Sequence, residues 1–143
     1  MTKIKTIFLV FLFTFFYLNN SFSQNDYFDE GQKFYKQKKF SKSKFKFQQD
    51  IVFNPKSEKS YLYLAKIYKE EKNDQLEEQS LNTVILLNPK NEEAILLLAL
   101  LKIKKSDYKE TEKLIDTFKK ICVSLCGKNE ELNKKLKALE KKK

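Results

Sequence analysis

Asn54-Pro55 returns as Asn88-Pro89 after a step of 34 residues, and each pair directly follows an apolar stretch. The same step relates Gly31, Ala65 and Ala99, then Tyr27, Tyr61 and Ile95, then Phe34, Tyr68 and Lys102, and finally Phe47, Leu81 and Ile115. Several kinds of slot held in register argue for one structural unit used three times, because stacked units leave self-similarity at a fixed step. No unit of this size covers its own apolar side, so each must lean on its neighbours. Within a unit the apolar residues recur at three and four, as in Tyr61, Leu64, Ala65 and Tyr68. That is the spacing of one buried stripe on a helix. The prolines stand where a helix must stop.

In these slots the chain resembles the tetratricopeptide repeat, whose pattern places an opening aromatic, an apolar-small pair, a Tyr, a second-helix aromatic and a closing Pro over about 34 residues. The resemblance runs from Gln24 to Leu125 and implies an all-α, right-handed solenoid of antiparallel helix pairs, about seven helices in all. The units would be 24–57, 58–91 and 92–125, after a leader over 1–23 and before a capping helix and basic tail over 128–143. The expected helices are Asn25–Gln37 with Ser41–Phe53, Glu58–Glu71 with Gln75–Leu87, and Glu92–Lys104 with Asp107–Cys126. Gly31, Ala65 and Ala99 would let the two helices of a unit approach closely. Four positions depart from the family pattern: Glu30, Asp74, Glu77 and, at the proline step, Val123. Beyond Gly127, Asn129 can cap a last helix whose acids Glu130 and Glu131 suit its start and whose lysines suit its end. Leu132, Leu136 and Leu139 give it a narrow apolar face, as a cap on the end of an array needs.

The resemblance also implies a partner site. In that family the first helices of successive units line a groove that holds a peptide or helix. Here the groove residues would be Phe28 and Tyr35, then Leu62, Tyr63, Lys66 and Lys69, then Leu96, Leu97, Leu100 and Ile103. Some family members hold a terminal carboxylate with Lys, Asn and Arg at positions that in this chain carry Phe28, Gln32, Tyr63, Glu93 and Leu97, so an apolar ligand segment fits better. The run Ala94–Leu101 is apolar around its whole circumference and must be covered on both sides. The capping helix, a second copy of the chain or a partner's amphipathic segment could each supply the cover.

Composition removes most other chemistry. The chain has no His, two Gly and two Pro. Ser/His/Asp and Cys/His nucleophile systems are therefore out, Gly31 and Gly127 are too far apart for a phosphate-cradling loop, and no catalytic activity or cofactor is expected. Two thiols without His make a poor metal site. A formal charge of +10 raises nucleic acid or an anionic surface as partners. Every cation is a Lys, however, without the planar fork of Arg, so the charge reads first as a solvated coat and a nucleic-acid partner is not expected. A basic module for anionic lipid or polysaccharide, using Lys33 to Lys46 and the terminal lysines, is the alternative to a peptide-binding or self-associating scaffold.

Lys3 and Lys5 precede an uncharged apolar run, Thr6–Leu18, with small residues Ser21 and Ser23 after it. The run is shorter than the roughly 18 to 20 residues a spanning helix needs, so it is expected to be a secretory signal cut near Ser23/Gln24, leaving an exported periplasmic or secreted protein with no transmembrane span. Cys122 and Cys126 would then meet oxidising conditions. A regular helix continued through Cys126 would set the two side chains side by side as thiols. An internal bridge would need the last turn before Gly127 to loosen, and a redox or intermolecular role is the third option.

Overall fold

A computed structural model describes residues 26–140, and among these the chain forms seven α-helices. They are α1 (Asp26–Lys36), α2 (Phe40–Phe53), α3 (Glu58–Glu70), α4 (Asp74–Leu87), α5 (Glu92–Lys104), α6 (Tyr108–Ile121) and α7 (Lys128–Glu140). The expected leader over 1–23, the last lysines and the side chain of Leu139 lie outside the described residues. Helices α1 and α2, α3 and α4, and α5 and α6 pair as antiparallel hairpins. Successive hairpins meet through α2 on α3 and α4 on α5, while α7 lies against both α5 and α6. The last helix thus takes the place that the first helix of a fourth unit would take.

The three hairpins turn in the same way. Lys38, Lys72 and Ser106, one period apart, all have φ of 57°. In the first hairpin the amide of Lys38 donates to the carbonyl of Tyr35 at 2.9 Å and that of Lys39 to Phe34 at 3.0 Å. Lys72 and Asn73 repeat the pair on Lys69 and Tyr68, and Ser106 and Asp107 on Ile103 and Lys102. This double return occupies carbonyls that a helix end leaves unpaired, and it requires one left-handed residue. The next helix starts at once: Asn73 accepts the amide of Leu76 and Asp107 that of Glu110 through their side-chain oxygens. Lys39 has no such oxygen, and α2 starts without a side-chain cap.

At the other end of the helices, Asn54 and Asn88 occupy equivalent corners. Both leave the helical region, with φ −131°, ψ 80° and φ −141°, ψ 91°. The ring of a following proline disfavours the helical region for the residue before it. The third corner lacks proline and is held differently. Helix α6 stops at Ile121 instead of running to Cys126, and Cys122 and Cys126 are joined by a disulfide, with Cα atoms 5.1 Å apart. The expected helix Asp107–Cys126 is therefore corrected at its end, and of the three options for the cysteines the internal bridge is the one formed: the last turn has opened, which is the condition a bridge between residues four apart requires. The carboxylate of Glu92, at the start of α5 in the same unit, accepts the amides of Ser124 at 3.1 Å and Leu125 at 2.8 Å. Those bonds hold its carboxyl below the usual range, the Leu125 amide contributing most. Asn129 is not the cap of α7 but lies in its first turn, its amide directed at Cys122 Sγ at 3.7 Å.

The core divides where the residue types change. Phe47, Leu64, Ile67 and Tyr68 form an aromatic-rich cluster with Phe28, Tyr35, Phe40 and Tyr63 packed against it. A larger aliphatic cluster runs from Leu62 and Ala65 through α5 and α6 to Leu132 and Leu136 of α7. Gly31 marks the tightest approach: a Cβ placed on it would lie 2.6 Å from the Phe47 ring. The later units carry Leu81 and Ile115 where the first has Phe47, and there the small slot holds Ala65 and Ala99. The departures also find places. Glu30 and Asp74 pair at the surface with Lys46 and Lys104. Asp50, in the slot of Val84, is buried and accepts a hydrogen bond from Ser60 Oγ, which stands in the slot of Ala94. Glu77 goes inside, 4% exposed, in the slot of Ser43 and Thr111.

Candidate partner groove

The first helices of the three units present a shared face, and side chains stitch it together. Tyr63 of α3 is its hub. Its ring stacks on Phe47 at 4.9 Å between centroids and meets Tyr35 at 5.1 Å and Phe28 at 5.8 Å edge-on. Edge-to-face and offset pairs of this kind contribute about 0.5–1.5 kcal/mol each beyond the area they bury. The hydroxyl of Tyr63 accepts a hydrogen bond from Gln32 Nε2 at 2.9 Å, which ties α1 to α3. Lys66, one turn on, lies over the same ring at 4.9 Å and pairs with Glu93 of α5 at 2.8 Å. Both ends of that ion pair are partly wet, so it is worth at most about 1 kcal/mol and serves mainly to orient the two side chains.

The expected groove residues fall into three groups. Phe28, Tyr35, Tyr63 and Lys66 are brought together and half-buried, forming one aromatic wall with a cation laid over it. Leu97, Leu100 and Ile103 continue the face on α5 as half-buried aliphatics, and Lys69 stands exposed. Leu62 and Leu96, each 9% exposed, belong to the aliphatic core and give the face little more than an edge. Gln32, Glu93 and Phe47 complete the constellation. Phe47 was legible only as a core slot, and the roles of Gln32 and Glu93 depend on contacts between helices about 30 residues apart in the chain, which periodicity does not report.

Most of the apolar surplus of α5 is covered from within the chain. Ala94, Ile95, Leu96, Leu98, Ala99 and Leu101 are all buried, with α4 and α6 on two sides and α7 across the end. What remains for a ligand is the strip Leu97, Leu100 and Ile103 beside the aromatic wall. Burial raises the Tyr35 hydroxyl above its ordinary value of 10.0, and the negative charges of Glu70 and Glu93 raise it further. Among the described residues no three His, Cys, Asp or Glu side chains gather as a metal site would need. A separate recess on the outer face of α4 is lined by Asp74, Glu78, Asn82 and Leu86. Its acids are already engaged by Lys104, Lys102 and Lys105.

No family model and no curated protein sequence matches the chain. Solved structures do. The first TPR domain of Spaghetti (RPAP3), bound to the HSP90 peptide SRMEEVD, superposes with a TM-score of 0.74 at 18% identity, over 85% of this chain and 96% of that one. The TPR2B domain of yeast Sti1, from a complex with an Hsp70 peptide, gives 0.73 at 14% identity, over 86% and 100%. The Yersinia enterocolitica type III secretion chaperone SycD, in complex with a peptide of the translocator YopD, gives 0.73 at 15% identity, over 86% and 96%. The chain therefore has the fold of a tetratricopeptide-repeat domain, a stack of helix pairs closed by a final helix.

Proposed function

We propose that this chain is a non-enzymatic scaffold that holds an apolar segment of a partner protein in the groove formed by α1, α3 and α5. One observation carries the reading. At the five positions where a terminal carboxylate would be gripped, the chain has Phe28, Gln32, Tyr63, Glu93 and Leu97, and the polar ones are already spent on each other and on Lys66. What such a face offers is ring surface and aliphatic surface, with a few fixed polar groups for orientation. The structural neighbours named above, seen with peptides bound, support the general mode, whereas the residues of this groove favour a different peptide chemistry.

We also propose that the protein works in an oxidising compartment after export. The disulfide between Cys122 and Cys126 and the leader-like residues 1–23 support this.

Selection of random peptides on the immobilised protein tests the groove. Enriched sequences are expected to be rich in Leu, Ile and Phe, to bind equally well with an amidated carboxyl terminus, and to be lost on the pair Leu97→Asp, Leu100→Asp with α-helical content intact. Enrichment of acidic carboxyl-terminal sequences, or binding indifferent to the Asp pair, would sink the assignment.

A further inference from the structure

The disulfide of the third corner joins two unlike surroundings. Cys126 is exposed, and beside it Gly127 faces open space, since a Cβ placed there would meet nothing within 4 Å. Cys122 is half-buried and packs against the aliphatic core. That inner sulfur is provided for in its reduced forms. Asn129 Nδ2 lies 3.7 Å from Cys122 Sγ, within reach to donate to a thiolate. The carbonyl of Lys119 lies 3.9 Å from the same sulfur, within reach to accept from a thiol. Asn129 Oδ1 is buried without a hydrogen-bond partner among the described residues, and a half-turn of the amide brings it to where Nδ2 stands. While the bridge is closed Cys122 has no S–H to offer either acceptor, and reduction is the change that supplies one. The corner also keeps its shape by other means. Glu92 holds the Ser124 and Leu125 amides, and Lys128 and Asn129 donate to the carbonyls of Leu125 and Cys126 at 2.8 and 3.0 Å. The two sulfurs therefore stay neighbours when the bond between them opens.

We propose that Cys122 and Cys126 form a reversible exchange site for an external dithiol, entered at Cys126, and that its state sets how firmly α7 closes the stack. One thiolate of the dithiol bonds to Cys126 Sγ as the Cys122–Cys126 bond breaks, and the electron pair of that bond leaves on Cys122 Sγ. The second thiolate then attacks the dithiol's own sulfur in the mixed disulfide and releases Cys126 as a thiolate. The two cysteines take up the two protons that the dithiol gives up. The bridge is reduced by two electrons and the dithiol is oxidised to its disulfide. The fold favours the bridge only as much as the bridge favours the fold, about thirtyfold for residues four apart, so a dithiol can open it without unfolding the chain. The inference rests neither on what the groove binds nor on export.

Dithiothreitol, without denaturant, should reduce the folded protein within about tenfold of the rate for the same chain unfolded in urea. Glutathione, quenched with iodoacetamide, should leave its adduct on Cys126 and the alkyl group on Cys122, read by peptide mass. When dithiothreitol is exchanged for glutathione disulfide the bridge should re-form completely, with α-helical content constant throughout and amide exchange in α7 about thirtyfold slower than in the reduced protein. Asn129→Leu should slow reduction of the folded protein about tenfold and leave the rate of the unfolded chain unchanged. In the Cys126→Ser background it should also move the titration of the Cys122 thiol to higher pH, which a merely structural role would not do. A bridge that dithiothreitol reaches only as fast as the whole chain unfolds would be a structural staple and would overturn the proposal. So would a glutathione adduct on Cys122, or α7 exchange rates indifferent to reduction.

Discussion

At the scale of single residues, the repeat works as a set of matched slots whose occupants vary together. Gly31 is glycine because its neighbour across the hairpin is Phe47, whose ring would lie 2.6 Å from an added methyl. Gly31→Ala is therefore expected to destabilise by about 1–3 kcal/mol in urea unfolding, the cost of overpacking. Adding Phe47→Leu should recover much of that, because it rebuilds the Ala65 and Leu81 combination of the second unit. An equal loss in single and double variants would show that the ring is not what excludes the methyl. Glu77 departs from its slot by carrying a carboxyl where the other units bury Ser43 and Thr111. Burial raises its carboxyl above the ordinary 4.5, and Asp74 adds to the effect while Lys69 and Lys104 oppose it. Between the unfolded and folded values the native chain holds a proton that the unfolded chain has released. The penalty is thus complete above the folded value, shrinks as pH falls, and vanishes below the unfolded one. Glu77→Gln should accordingly melt higher than the parent at neutral pH and lose the advantage below about pH 4.5. A gain that persists in acid would point to packing and away from ionisation.

At the scale of elements, what could be read in advance follows from which residues punctuate a helix. The outer corners were legible because Asn-Pro disfavours the helical region for its Asn and ends the helix. The inner turns were legible only as gaps, since the residues at their left-handed positions are Lys38, Lys72 and Ser106, none of them the glycine that signals such a turn. A side chain there carries a steric cost of about 1–2 kcal/mol, against about 0.5–1 kcal/mol of extra chain entropy for glycine. Lys72→Gly and Ser106→Gly are each expected to stabilise by up to about 1 kcal/mol, read as a shift of the urea midpoint without a change of slope. Destabilisation would mean that the lysine stem or the serine hydroxyl makes a contact worth more than the strain. The end of α6 was misread for a related reason. Nothing in the spacing of Cys122 and Cys126 says whether the helix continues, and the choice is made by Glu92, whose carboxylate takes up amides that an opened turn leaves free. The groove was half legible: its aromatic and aliphatic faces follow the period, whereas the Gln32–Tyr63 and Lys66–Glu93 ties depend on how far one helix pair rotates against the next.

At the scale of the whole molecule, a stack stays folded only if its end is closed, and here closure and covalent chemistry fall at one place. Leu132 is fully buried and Leu136 nearly so, at the end of the aliphatic core. Burying such side chains contributes about 1.5–3 kcal/mol each. The corner that delivers α7 to this position is the one the disulfide spans. A bridge across four residues closes a small loop and removes little entropy from the unfolded chain, about 2 kcal/mol. Because each unit touches only its neighbours, loosening the cap should not be felt evenly along the stack. In the pair Cys122→Ser, Cys126→Ser, amide exchange is expected to speed up about thirtyfold in α7 and less in α6, the counterpart of that free energy, while α1 to α3 keep the rates of the parent. Uniform acceleration from α1 to α7 would instead show that the three units and their cap open as a single cooperative body. In that case the aromatic cluster around Tyr63 would answer to the redox state of a bond beyond the neighbouring unit's last helix.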